Sequence, residues 1–223
     1  MEWADWEPHY LEILRDFGFD RGRDEEASRM LADLLPSPRA GPHDLGKRLH
    51  DRVVTVLGNG PNLKDELGRA EGTIVAADEA TSVALHGGIL PDIIVTDLDG
   101  QVEDQIDAQK QGALAVIHAH GDNIDALRHW APSFGPLSVG TTQAEPFDGI
   151  HNFGGFTDGD RAVYLADHFG ASEIRLAGFD FDRPNPKDRP TAAKLRKLAW
   201  ARRLLDDLAR RRPLIDPSSA SSG

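Results

Sequence analysis

Pro91-Asp92-Ile93-Ile94-Val95-Thr96-Asp97-Leu98-Asp99-Gly100 is the stretch from which the fold is read. Ile93, Ile94 and Val95 form an unbroken β-branched run, the pattern of a strand covered on both faces of a sheet. Two carboxylates, Asp97 and Asp99, follow directly, and Gly100 turns the chain away. In open α/β sheets the ligand sits beyond the carboxyl ends of the strands. Acidic oxygens there suit a hard cation such as Mg²⁺, which takes one or two carboxylates with waters and phosphate oxygens. In isolation the same residues also describe a solvated βα turn whose Asp caps the next helix. The rest of the chain favours the cation.

The chain has 223 residues, enough for one large domain with a real core, or for one domain with a small extension. It has no cysteine, which excludes disulfides, thiolate zinc sites and cysteine nucleophiles. No apolar run approaches a membrane span, and Glu2, Asp5 and Glu7 stand where a signal peptide is basic, so a cytoplasmic protein is expected. A formal charge of −12 argues against generic nucleic-acid binding, which needs a basic footprint. The 26 Asp against 11 Glu, and 19 Arg against 6 Lys, resemble the surfaces of proteins from salt-loving organisms, where concentrated salt screens self-repulsion.

Residues 1–50 read as a helical N-terminal extension. Trp3, Trp6, Tyr10, Leu11, Leu14 and Phe17 recur at helical spacing, and Met30, Leu31, Leu34 and Leu35 give a second apolar face. Phe17-Gly18-Phe19-Asp20 breaks between them, and Pro36-Ser37-Pro38 with Gly41-Pro42 marks a loop. This part is expected to pack on the main domain, with a lid over its site as one role. From 51 to 182 strands alternate with helical patterns, indicating βαβ units: an α/β, Rossmann-like domain with a mostly parallel sheet flanked by helices. Strands are expected at 53–57, 73–77, 93–95, 113–117, 137–139, 150–153 and 174–177, with helices at 102–111 and 162–169. Residues 183–223 read as a Pro-rich loop, a long arginine-rich helix and a disordered tail from Pro217.

The polar residues gather at strand ends. Gly58-Asn59-Gly60-Pro61-Asn62 lies between strand and helix, where backbone N–H groups can meet an anion and Pro61 suits a first helical turn. Asp78, the Asp97/Asp99 pair, His118 to Asn123, Thr157 to Arg161 and Asp180 end or follow the other strands. In one parallel sheet all six clusters share an edge, the pattern of a phosphate-and-metal site. There is no nucleophile elbow, and His118 and His120 lack the i,i+4 spacing of a zincin, although two histidines one residue apart can hold a transition metal.

The run from Ala76-Ala77-Asp78 through His86-Gly87-Gly88-Ile89-Leu90-Pro91-Asp92 to Thr96-Asp97-Leu98-Asp99-Gly100 resembles the nucleotide-binding core of thiamine pyrophosphokinases. It departs from their pattern at Glu79, Thr96 and Gly100, where that family has two glycines and a serine. Together with the Gly58 loop, His118-Ala119-His120-Gly121-Asp122-Asn123 and Gly154-Gly155-Phe156-Thr157-Asp158-Gly159-Asp160-Arg161, residues 50–182 are more similar to a sister family. That family is the archaeal 6-hydroxymethyl-7,8-dihydropterin pyrophosphokinases (MptE-like), and the acidic composition fits a haloarchaeal member.

The resemblance implies a diphosphokinase: Mg²⁺- and ATP-dependent transfer of diphosphate to the pterin hydroxymethyl group, releasing AMP. It implies Mg²⁺ on Asp97 and Asp99, Asp78 near metal or nucleotide, and phosphate in the Gly58–Asn62 loop. Arg161 then neutralises phosphate charge, Thr157 and Asp158 hold phosphates or metal waters, and His120 or Asp122 is the base. ATP and a reduced pterin are the expected partners. Asn123, Gln143, Asp180, Phe156 and Phe179 are candidates for the pterin. The helical ends are compatible with a homodimer. The alternatives are a thiamine pyrophosphokinase or other diphosphokinase, a nucleotide-sugar glycosyltransferase, and a non-catalytic nucleotide-binding module.

Overall fold

The computed structural model describes residues 1–185 and 191–215. The tail at 217–223 and the 186–190 part of the Pro-rich loop lie outside the described residues. Among the described residues eight strands form one sheet: β1 (Val53–Leu57), β2 (Thr73–Ala77), β3 (Ile93–Thr96), β4 (Leu114–Ala119), β5 (Ser138–Thr142), β6 (Ile150–His151), β7 (Glu173–Ala177) and β8 (Leu214–Ile215). Their order is β6-β5-β4-β3-β2-β1-β7-β8, every neighbouring pair parallel.

Helices cover both faces, which is why the strands read as unbroken apolar runs. On one face lie α1 (Trp3–Phe17), α3 (Pro42–Leu49), α8 (Asp158–His168) and α9 (Ala192–Ala209), packed with Val54, Val56, Ile93, Val95, Leu114 and Val116 in the largest core cluster. On the other lie α2 (Arg21–Leu34), α4 (Leu63–Glu66), α5 (Ala80–His86), α6 (Val102–Lys110) and α7 (Ile124–Trp130). The period-2 alternation is visible in β4, where Ala115, Ile117 and Ala119 face α2, α6 and α7. The N-terminal helices share this core: Trp6, Tyr10 and Ile13 are buried with the sheet, and Trp6 Nε1 donates to the Gln143 carbonyl at 2.9 Å.

Some boundaries differ from the sequence reading, each for a local reason. β4 runs on to Ala119 because His118 and Ala119 pair with Thr141 and Thr142 of β5. α8 starts at Asp158, ahead of the apolar run, because Thr157 and Asp160 form a capping box. Pro42 begins α3 rather than a loop, since Pro is tolerated in a first turn, and the Asp44 carboxylate accepts from the Gly41 N–H at 3.2 Å. The helix after the Gly58 loop is one turn long.

The topology fixes where a ligand can enter. From β1 the chain steps outward one way through β2 to β6, then returns to the other side of β1 as β7. The crevice between the carboxyl ends of β1 and β7 is thus a topological switch point. The two ends are stitched together there: Gly58 N–H donates to Ala177 O at 2.8 Å and Gly60 N–H to Gly178 O at 2.7 Å. Gly178 has φ +74°, and a Cβ on it would lie 2.3 Å from Gly58 O and 2.8 Å from Leu63 Cβ. Gly18, which ends α1, has φ +70° with nothing within 4 Å. Gly18→Ala is therefore expected to cost about 1–2 kcal/mol for the left-handed backbone alone. Gly178→Ala adds overpacking and is expected to cost about 3 kcal/mol or more. Urea unfolding of the two variants checks the order; equal losses would remove the close approach of β1 and β7 from the explanation.

Candidate active site

Two non-glycine residues hold left-handed backbone at the carboxyl edge, Asp78 (φ 44°) after β2 and Leu98 (φ 68°) after β3. Asp tolerates this conformation; for Leu it is a strain that its surroundings must hold. Thr96 does so: its hydroxyl accepts the Leu98 N–H at 2.9 Å and donates to Asp78 Oδ1 at 2.7 Å. Gln105 Nε2 donates to the same oxygen at 2.9 Å. Gly100 packs onto the fixed carboxylate, and a Cβ there would lie 2.3 Å from Asp78 Oδ2. The three departures from the thiamine pyrophosphokinase pattern thus have local partners: Thr96 and Gly100 frame Asp78, and Glu79 accepts from Asn59 Nδ2 at 3.0 Å.

The result is a cluster of Asp78, Asp97 and Asp99 with one oxygen from each within 4.8 Å of the others. Asn123 anchors the Asp97 loop, donating to Asp97 O and His118 O at 2.8 Å each. His120 Nε2 sits 3.4 Å from Asp97 Oδ2, while its Nδ1 accepts the Asp122 N–H at 3.3 Å. That leaves the proton on Nε2, directed at the carboxylate. Asp97 Oδ1 is buried without a hydrogen-bond partner among the described residues.

The charges do not balance. Burial, with the neighbouring Asp97 and Asp78, pushes the Asp99 carboxyl up to about 8. Burial and Asp97 also raise Asp78 and lift Asp158 well above the usual range. Of these four, Asp97 alone is held low: burial works against it, but the hydrogen bond from His120, with the charges of Arg161 and Lys197, brings it to about 2. Converging carboxylates with an orphaned buried oxygen fit a hard divalent cation, which takes oxygen ligands and offsets this charge.

These residues line a cavity of about 440 Å³. Its floor is Gly58, Asn59, Gly60, Asp78, Asp97, Asp99, His120 and Asp122; Pro61 and Asn62 lie outside the lining, and Asn62 Nδ2 donates to Glu66. One wall is the start of α8. Thr157 and Asp158 line it, the Thr157 hydroxyl donating to Asp160. Arg161 is buried, 3.1 Å from Asp158 Oδ1 and 3.4 Å from Gln143 Oε1, with no partner for its Nε among the described residues. Four of the pterin candidates, Gln143, Phe156, Phe179 and Asp180, line the cavity; Asn123 does not. His118 is also outside it, buried against Thr141 at 3.1 Å, so the two histidines make separate hydrogen bonds rather than one ligand pair.

Sequence reasoning missed the turn between α1 and α2, which brings Phe19, Arg23 and Asp24 to the cavity. Asp24 is buried and fully used, accepting from Gly121 N–H (2.8 Å), Tyr10 OH (2.8 Å) and Gln143 Nε2 (2.9 Å). It ties α1 and α2 to the loops after β4 and β5. It also missed Lys194 and Lys197 of α9.

A family model described as "6-hydroxymethylpterin diphosphokinase MptE-like" matches residues 32–186. Three curated relatives are each named 6-hydroxymethyl-7,8-dihydropterin pyrophosphokinase. The one from Methanothermobacter thermautotrophicus is 45% identical over 94% of this chain and 96% of its own. The one from Pyrococcus furiosus is 42% identical over 92% and 94%. The one from Methanocaldococcus jannaschii is 35% identical over 93% and 96%. Among solved structures, a Maf glycosyltransferase from Magnetospirillum magneticum superposes with a TM-score of 0.56 at 17% identity, a likeness of fold. The match covers 92% of this chain and 39% of that one.

Asp99 sets a pH dependence whose sign is fixed. An unfolded Asp titrates near ~3.9, whereas folded Asp99 titrates at about 8. Between those values the folded state keeps a proton the unfolded chain has released, so its metal-free stability is expected to fall as pH rises through that window. A divalent cation bound at the cluster would replace the proton. Mg²⁺ is therefore expected to raise the thermal midpoint more at roughly pH 8.5 than at roughly pH 6, and Asp99→Asn to flatten the metal-free profile. Thermal unfolding across pH with Mg²⁺ or chelator reads both; a Mg²⁺ increment independent of pH would sink the linkage.

Proposed function

The chain belongs to the 6-hydroxymethylpterin diphosphokinase MptE-like family, and from that premise we propose that it transfers diphosphate from ATP to the hydroxymethyl oxygen of 6-hydroxymethyl-7,8-dihydropterin. AMP is the second product and Mg²⁺ the metal. The observation that carries the reading is the carboxylate cluster at the switch-point cavity, in a chain 35–45% identical to three enzymes of that name along nearly its whole length.

On this reading the hydroxymethyl oxygen attacks the β-phosphorus of ATP in line. A bond forms between them, the bond from that phosphorus to the α,β-bridging oxygen breaks, and AMP departs with that oxygen. The hydroxyl proton passes to Asp122, an exposed carboxylate on the cavity lining. His120 has both ring nitrogens engaged and acts by orienting Asp97. Transfer of this kind asks the protein for positioning and charge stabilisation. In the loop whose Gly58 and Gly60 N–H groups are held by β7, the Asn59 backbone N–H, with those of the first turn of α8, is offered to the phosphates, and Arg161 opposes their charge. Asp97 and Asp99 are the residues that hold Mg²⁺, with Asp78 beside them, and the chemistry the ion supplies there is neutralisation at phosphate oxygens. Phe19 and Phe156 form the apolar wall for the pterin ring.

The test is an incubation with ATP, Mg²⁺ and the reduced pterin, at low and high salt, resolving nucleotides and pterins by chromatography. AMP and pterin diphosphate are expected in equal amounts, and only when the pterin is present. Consumption of thiamine or a nucleotide sugar instead, or ATP left intact with every acceptor, would overturn the assignment. Asp97→Asn is expected to lower kcat by about 100-fold or more with an unchanged circular dichroism spectrum, the scale on which single charge-stabilising groups act. Near-normal turnover in that variant would remove Asp97 from the metal site.

A further inference from the structure

The C-terminal helix presents three differently occupied faces. Arg196, Trp200 and Arg203, spaced i, i+4, i+7, are fastened to α1. Arg196 pairs with Asp16 at 3.1 Å and lies over the Phe17 ring at 4.5 Å. Trp200 Nε1 donates to Asp16 Oδ2 at 2.8 Å, and Arg203 pairs with Glu12 at 2.7 Å. Leu204, Leu205 and Leu208 enter the core. The remaining face, Lys194, Lys197, Leu198 and Ala201, again at i, i+3, i+4, i+7, lines the same cavity as the carboxylates.

The choice of cation on these faces is not uniform. Outward-facing arginines on α9 and at its C-terminal cap are committed to ion pairs, Arg202 with Asp182 and Arg210 with Asp207 besides those above. The two cavity-facing cations are lysines, in a chain with 6 Lys in 223 residues. A lysine ammonium is a compact point charge on a flexible stem, suited to a phosphate oxygen whose position changes during transfer; an arginine fork suits a fixed carboxylate. Lys197 has no hydrogen bond or ion pair among the described residues, yet it is half-buried and close enough to Asp97 to bear on that carboxylate's charge. Its backbone is held by Arg196 and Trp200 on either side. Residues 191–209 also lie beyond the part of the chain that the family model matches.

We propose that Lys197 is a polyphosphate-binding residue, reaching from α9 across the cavity to the β- or γ-phosphate of the nucleotide. The phosphates are then gripped from two sides, by the Gly58–Gly60 loop and α8 beneath and by α9 above. α1 is the brace that sets where α9 stands. This rests on the diphosphokinase reading for the identity of the nucleotide, and its test separates the two.

Wild type, Lys197→Met and Lys197→Arg are compared by calorimetric titration with Mg²⁺ and α,β-methylene-ATP, and with AMP, in the absence of pterin; kcat and KM follow with ATP and pterin. The expected result is at least about a tenfold weaker analogue affinity in Lys197→Met, with AMP affinity changed less than about twofold, the size of one lost charge-assisted contact. Lys197→Arg is expected to recover most of the loss, and thermal midpoints to stay close to wild type. Equal analogue affinity in Lys197→Met and wild type would overturn the proposal, as would equal losses for analogue and AMP. If wild type binds the analogue with the stated Lys197 dependence but turns over no pterin, the acceptor assignment fails and the Lys197 assignment stands.

Discussion

The crowding of four carboxylates within one acidic cavity is the constraint around which this structure is arranged. Asp78, Asp97, Asp99 and Asp158 come from three separate loops at the carboxyl edge of one parallel sheet, and Asp97 raises the cost of ionising the other three. Such a cluster persists only if its backbone is over-determined. Thr96 and Gln105 grip Asp78, Thr96 also receives the amide of the left-handed Leu98, and Asn123 ties the Asp97 carbonyl to β4. The repulsion is partly offset by Arg161, His120 and Lys197. A divalent cation bound among them would offset the remainder.

The parallel sheet makes this arrangement possible in two ways. It delivers every βα loop to the same edge, and its return from β6 to β7 opens a crevice beside β1 where the Gly58 loop and Gly178 come into backbone contact. The helices outside the central sheet then complete the walls. Asp24 on α2 uses its two oxygens to bind Tyr10, Gly121 and Gln143, so the α1–α2 turn is tied to the loops after β4 and β5. α9 is braced against α1 through Asp16 and Glu12. The N- and C-terminal helices are thus parts of the cavity wall.

Much of this was readable in the sequence, for physical reasons. Buried parallel strands leave apolar runs, so Val53–Leu57, Thr73–Ala77 and Ile93–Thr96 stood out, and carboxylates placed directly after such runs had to lie at the sheet edge. Thr96, Gln105 and Asp24 were not readable as site residues. Their partners are 18, 27 and 97 positions away in the chain, distances at which periodicity carries no information. Asp24 stands in a run, Arg-Gly-Arg-Asp-Glu-Glu, that reads as a solvated helix face. Lys194 and Lys197 were hidden in the same way, by an arginine-rich helix whose charges mostly do face outward. His118 sat among the edge residues on paper, but strand pairing with β5 carries it one register further into the sheet, where it is buried against Thr141.

Diffraction from crystals holding Mn²⁺ and α,β-methylene-ATP, recorded at the manganese edge, addresses the carboxylate cluster most directly, since Mn²⁺ accepts the oxygen ligands that Mg²⁺ does. An anomalous peak between the Asp97 and Asp99 carboxylates, with the triphosphate between the Gly58 loop and α8, is the expected result. A seated nucleotide with no peak there, or a peak held by other residues, would contradict the claim that these carboxylates were brought together to hold a cation.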